Sequence, residues 1–454
     1  ATAPTLNNVN IKNNTSIGSV LNLGVGRALN FIDVTLDGNT VSQDQTSGVT
    51  NAVIAVVTNG NNGDINGLTI NNPSSVDNVV IQKTNRTDDT TSAGTFNINN
   101  ANITGGGSAF KFNKVANVNI GTAENSDGNN AKTGLVASGC SGDVLKVENA
   151  TEFNLINSNI GNLETNDILS RGIYLYEVGK NASLEKTPKL TNVTVYNCKA
   201  PNGENGAGLY MQDSKVIMTN CNFTGNVAGK GGNGGAVYVS GESSLKIVNS
   251  TFDSNGTDDS SETSGFGGAI YVGSGSFEID KSQDKIVTFR NNHASKGGAI
   301  YLADRATFNA ENKESGIENI PTTYFISNSA TYDGGAIYSK RSLQLQKYNF
   351  AGGGAGQNGG AIYFENREGS FQLKTCSFEN INAANGGAVY VAAAGAVVFG
   401  APGEDNYQLD GNTFTSCSAT GAGIAYINAA AKIRIWQAEF DAKNVAGVAA
   451  ESGV

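Results

Sequence analysis

An all-β solenoid is the fold class this sequence predicts, on three observations. The phrase Gly-Gly-Ala-(Ile/Val)-Tyr occurs six times, starting at Gly234, Gly267, Gly297, Gly334, Gly359 and Gly386. A second phrase precedes the copies: an aromatic residue, often with Asn three positions later. Between the phrases lie short period-two stretches such as "SLKIVN" and "KIRIW", and no segment has a useful length of helical periodicity. Period-two runs bounded by Gly, Asn, Asp and Ser mark strands and turns, and a unit of 20 to 50 residues marks a solenoid. Steps between aromatic slots run from 25 residues (Phe325 to Phe350) to 37 (Phe252 to Phe289) in the clear region.

Taken in chain order, residues 1–165 read as degenerate coils whose slot holds aliphatics: Leu36 with Asn39, then Ile70, Ile103 or Ile120, and Ile160. Residues 166–430 hold the clear repeats, opening with Val195 in the slot and the weaker phrases "SRGIYL" at Ser170 and "GAGLYM" at Gly206. Phe223, Phe252, Phe289 and Phe325 follow, each with its Asn at 226, 255, 292 and 328. Phe350, Phe378, Phe414 and Phe440 keep the slot without that Asn, and "GAGIAYI" at Gly421 is the last weak copy. Residues 431–454 read as a C-terminal coil or an assembly segment, because "NVAGVAAESGV" is small, apolar and little charged. No composition break marks a domain boundary, so one continuous domain of about 14 coils is expected, a rod of roughly 70 Å at ~4.8 Å per coil.

Each position in the phrases has a physical reading. Alternation along a strand points the Ile/Val and the residue two further on into the core. The Phe slot is a core file stacked coil on coil. The paired glycines suit a tight turn where φ is positive or a Cβ would clash. Asn three residues after Phe suits a corner ladder, its amide bridging adjacent coils. Tyr174, Tyr210, Tyr238, Tyr271, Tyr301, Tyr338, Tyr363 and Tyr390 share one slot. Alternation puts them with the small Ala on the face opposite Ile/Val. Burying eight unpartnered hydroxyls would cost roughly 1–3 kcal/mol each, so an outward column is expected. That column is either a stacking ladder or a contact surface for a glycan or another protein.

These tandem phrases resemble the GGA[ILV] and FxxN repeats of the chlamydial polymorphic membrane proteins and of adhesin-like microbial surface proteins. Strong copies cover Phe223 to Ile427. The resemblance implies a right-handed parallel β-helix displayed on a cell surface, extracellular, with an adhesive or structural role and no catalytic residues. It would bind a surface protein or glycan of a host or neighbouring cell, or copies of itself. The family's proteins end in an outer-membrane β-barrel and carry more cysteines; no barrel is read in this sequence, so it is expected either to have been cut off or to be replaced by another anchor.

Composition narrows the alternatives. The chain has 454 residues, a net charge of −10 and no basic cluster, which argues against nucleic acid. No apolar run approaches the ~20 residues of a membrane span. The five cysteines (140, 198, 221, 376, 417) match no zinc spacing and read as buried small residues, with an odd thiol free or paired to another chain. A polysaccharide lyase or hydrolase would need clustered carboxylates with Arg, Lys or His on one face. The sequence offers only the Asp88-Asp89 and Asp258-Asp259 pairs, His293 between two phrases and the outward Arg434, so no catalytic residue is assigned. No metal or cofactor is expected either: "GGNGGAVYV" resembles a calcium nonapeptide but lacks its Asp. Asn85, Asn192 and Asn249 open formal glycosylation triplets. A binding protein is the expected function, with a sheath, coat or filament subunit as the alternative.

Overall fold

The computed structural model describes residues 5–25, 28–44, 46, 50–58, 60–83, 93–122, 133–162, 168–258, 261–280, 285–309, 323–400, 411–435 and 438–441. It is a right-handed parallel β-helix. The chain forms two compact units, Ala1–Lys199 with Gly208–Asn222, and Ala200–Ala207 with Phe223–Val454.

In the first unit the slot residues fall into register as Ile11, Leu36, Ile70, Ile103, Ala137, Ile160 and Val195. Ile103 therefore holds the slot and Ile120 does not. Ile120 sits in a second file with Phe31, Ile65, Ile98, Leu155, Leu190 and Met218. A third wall stacks Ile54, Val79, Phe110, Leu145, Ile173 and Leu209. Apart from Ile11 at the first turn, which is half-buried, all these inward residues are buried, as parallel strands with a closed interior require.

The second unit repeats one circuit. A wall carries the Tyr phrase, in Val237–Ser240, Ile270–Ile279, Ile300–Asn309, Ile337–Ser339, Ile362–Lys374, Val389–Phe399 and Ala425–Ile427. The next wall points Leu245, Phe277, Leu343, Phe371 and Val397 inward. The third holds the file Phe223, Phe252, Phe289, Phe325, Phe350, Phe378 and Phe414. Every ring in that file is 0–2% exposed, and neighbouring rings stack with centroids 4.7–5.4 Å apart. Phe440 continues its backbone register. Beyond the Phe corner lies a narrow seven-stranded sheet that alternation alone did not reveal. His293, expected in a turn, lies in its strand His293–Ala294, with Nδ1 3.0 Å from the Ser329 hydroxyl.

The corners explain the phrases. After the Phe strand one residue takes the left-handed conformation, at Gly225 (φ 65°), Ser254 (55°), Asn291 (55°) and Ser327 (54°). The next residue turns inward as the buried ladder Asn226, Asn255, Asn292 and Asn328. The amides bond across coils: Asn255 Nδ2 donates to Asn292 Oδ1 of the next coil (3.1 Å) and to the Phe223 carbonyl of the preceding one (2.9 Å). At the Gly-Gly turn the first glycine has positive φ, 61° at Gly297 and 65° at Gly334. The second leaves no room for a Cβ: at Gly298 it would run into the carbonyls of Gly335 and Ser329. The following Ala is not on the Tyr face as alternation suggested. Ala236, Ala269, Ala299, Ala336, Ala361 and Ala388 are all buried, because both the Ala and the next N–H bond to one carbonyl and the chain bends there.

The cysteines occupy the same kind of corner. Cys140, Cys198, Cys221, Cys376 and Cys417 are all buried thiols outside any disulfide, each following a residue with positive φ. Their thiols lie against backbone carbonyls, as Cys221 Sγ does to Leu190 (3.4 Å) and Thr219 (3.5 Å). Ser250 makes the same short-range bond to Val248 (2.8 Å), so Cys acts there as a bulkier serine. Burial pushes the Cys140 thiol up to about 12 and those of Cys221 and Cys417 to about 11.

Candidate functional site

The tyrosines form the ladder that the slot implies. In the first unit Tyr174 stacks on Tyr210 at 5.0 Å, with the Arg171 guanidinium 5.0 Å from the Tyr174 ring. In the second, Tyr238, Tyr271, Tyr301, Tyr338, Tyr363 and Tyr390 stack in sequence with centroids 4.6–5.4 Å apart. Tyr426 adds a seventh ring at 5.0 Å. Sequence reasoning missed it because this copy reads Ala-Gly-Ile-Ala-Tyr from Ala422, in register with Gly-Gly-Ala-Val-Tyr from Gly386, so the letters before the tyrosine differ.

The ladder faces away from the Ile/Val core, but it is not uniformly exposed. Tyr301 and Tyr338 are 5% and 4% exposed and so depart from the expected open column. Phe266 of the preceding turn stacks on Tyr301 at 4.7 Å. Lys296, 3.7 Å from Asp333, holds its ammonium 5.7 Å from the Tyr338 ring. The Tyr338 hydroxyl donates to Glu365 at 3.0 Å, so its burial leaves the hydroxyl satisfied. Tyr238, Tyr271, Tyr363, Tyr390 and Tyr426 remain half-buried. Burial, with the Glu365 carboxylate next in importance, raises the Tyr338 phenol well above its ordinary value. Burial also raises Tyr301 and Tyr363.

Beside Tyr338 the wall opens into a pocket of about 450 Å³, lined by Asp304, Lys340, Arg341, Glu365, Asn366, Arg367, Ala392 and Ala393. Two irregularities make it. The strand Ile362–Lys374 shifts register against Val389–Phe399 at Phe364/Glu365 and again between Asn366 and Ser370. That bulge is held by Asn366, whose Oδ1 accepts from the N–H of Glu368 (3.1 Å) and Gly369 (2.9 Å) and whose Nδ2 donates to the Lys340 carbonyl (3.1 Å). The next coil then supplies only alanines, Ala392 and Ala393, where longer side chains would fill the gap. Sequence analysis found no carboxylates clustered with Arg or Lys. The fold assembles such a cluster from four coils, because residues 304, 340, 365 and 392 have equivalent places in successive turns.

The other candidate positions stay apart. Asp88-Asp89 and Asp259 lie outside the described residues, as does the segment 444–454. Arg434 is exposed on the strand Ala430–Ile435. Among the described residues no group of three or more His, Cys, Asp or Glu side chains could hold a metal ion.

Comparison with known proteins matches residues 191–315 to the right-handed β-helix region, and residues 322–340 to the Chlamydia polymorphic membrane protein repeat. The second match contains the phrase from Phe325 to Ser339. Over those residues the chain resembles the polymorphic membrane protein repeat. Its Phe and Gly-Gly-Ala positions are the core file and the tight turn described above. The chain is also similar to the probable autotransporter YfaL of Escherichia coli strain K12, 28% identical over 217 residues, which is 44% of this chain and 16% of that protein. The match thus spans about a sixth of the relative's length. No solved structure matches the chain significantly. No helix among the described residues is long and apolar enough to cross a membrane.

Proposed function

We propose that the chain is the surface-displayed, passenger-type β-helix of an extracellular protein and acts by binding, with the tyrosine wall of its second unit as the contact face. The stacked ladder from Tyr238 to Tyr426 carries this reading. It is an aromatic strip outside a core that Phe already fills, and tyrosine offers a rigid apolar face with a polar tip. The polymorphic membrane protein repeat and the similarity to an autotransporter support surface display. The buried Tyr301 and Tyr338 are fixed members of the ladder, and the half-buried rings are its accessible edges. A partner would be a protein or glycan on a neighbouring or host cell.

The test replaces Tyr363, Tyr390 and Tyr426 with Ser and measures adhesion of the purified chain to cells. Adhesion should fall while circular dichroism stays β-type. Undiminished adhesion would reduce the ladder to a packing device. Sedimentation of the unmodified chain separates this reading from a sheath or filament subunit, which would assemble without cells. Pectin, alginate and chondroitin should keep their chain lengths on incubation with it.

A further inference from the structure

The pocket beside Tyr338 narrows the chemistry of a guest, on the reading of this chain as a binding protein. Its anions are already engaged: Glu365 accepts the Tyr338 hydroxyl, and Asp304 lies 3.8 Å from the Lys340 ammonium. Its cations have capacity left. Arg341 Nη1 donates to the Asp304 carbonyl at 3.1 Å, which orients the guanidinium while sparing its other N–H groups. Arg367 is exposed on the bulge and forms no ion pair among the described residues. The remaining donors are therefore two planar guanidinium forks and the Lys340 ammonium, beside a small alanine floor.

A planar monoanion suits such forks through two parallel hydrogen bonds. Asp304 and Glu365 would repel a dianionic phosphate but keep lone pairs that can accept hydroxyl protons. A volume of about 450 Å³ admits a small ring, at the lower end of ligand pockets. We propose that the pocket is a saccharide subsite for an acidic sugar. Arg341 and Arg367 grip the sugar carboxylate, and Asp304 and Glu365 take its hydroxyls.

Titration calorimetry of the full chain with glucuronic acid, N-acetylneuraminic acid, glucose and glucose 6-phosphate tests this. The acidic sugars should bind at least about tenfold more tightly than glucose, the loss of one charge-assisted hydrogen bond. Glucose 6-phosphate should bind no more tightly than glucuronic acid. Arg367→Ala should weaken glucuronic acid by about tenfold or more, and Ala392→Trp, which fills the floor, should abolish it. Equal binding of glucose, tighter binding of glucose 6-phosphate, or glucuronic acid binding unchanged in both variants overturns the proposal. Absence of millimolar binding by either acidic sugar, while cells still bind through the tyrosine wall, overturns this subsite and leaves the binding reading standing. Cleavage of an oligouronide by the wild type would overturn both.

Discussion

Replacing Asn292 with Ala tests the corner ladder at its centre. Its amide makes four hydrogen bonds. Nδ2 donates to the Phe252 carbonyl (3.0 Å) and to Asn328 Oδ1 (2.9 Å), while Oδ1 accepts from the Asn255 N–H (3.0 Å) and Nδ2 (3.1 Å). Asn292 is 0% exposed, so water cannot replace these partners. At a net ~0.5–1.5 kcal/mol per bond the loss is about 2–6 kcal/mol, and a central value of about 4 kcal/mol is expected because the Asn255 N–H is left buried. Asn292→Asp should be no milder at neutral pH, since it removes both donated bonds and buries a charge. Unfolding of so long a repeat chain need not be all-or-none, so local hydrogen exchange is the better assay. Amides from Phe252 to Ile300 that exchange by local opening should speed up roughly a thousandfold in Asn292→Ala. Acceleration under about fivefold, or acceleration equal in distant coils, would show that the ladder does not hold this corner.

Three further outcomes are expected. Gly298→Ala drives a Cβ into the Gly335 and Ser329 carbonyls and should destabilise by about 1–3 kcal/mol or more; a thermal melt unchanged by it would remove the steric account of the second glycine. A thiol reagent at neutral pH should modify none of the five buried cysteines in native protein and all five in denaturant, and fast native labelling would contradict the corner placement. Stability should hold to about pH 9 and fall from about pH 10 upwards. Tyr174 is raised from 10.0 to about 12 by burial, and Tyr301, Tyr338 and Tyr363 shift the same way, so above the ordinary value the unfolded chain releases protons that the folded one retains. Melts that are flat with pH to about 11 would refute that.

How much of this was legible depended on whether neighbours in sequence or neighbours across coils set the outcome. The Phe file and the paired glycines were readable because each slot repeats one residue for one reason: Phe289 meets Phe252 and Phe325, and Gly298 meets the next coil's backbone. The inward corner position was readable only where it held Asn. At Cys140, Cys198 and Cys417, each three residues after a slot residue, the same place is filled by a thiol that also reaches a carbonyl, so no single letter marks it. Ala137 hid in the aliphatic file for the same reason, since a wall tolerates a small member. The uneven exposure of the tyrosines was not readable. Phe266 and Lys296 cover them from turns that sequence alternation does not describe. The pocket was least legible, because it comes from a register shift in one strand and alanines in the next, 25 or more residues away.

The stacked phrases make the coils of the second unit interchangeable rungs. Removing residues 325–349 would set Phe350 on Phe289 and bring Gly353 against Asn292, the relation Gly353 now has to Asn328. Scaffold length can therefore change by whole rungs with little local rearrangement. The pocket has no such freedom. Its walls come from four consecutive rungs, and this excision would delete Lys340 and Arg341 outright. Descendants of this chain could lengthen or shorten by duplication and loss while keeping their fold, but only those that preserve the order of these four rungs would keep the same recess.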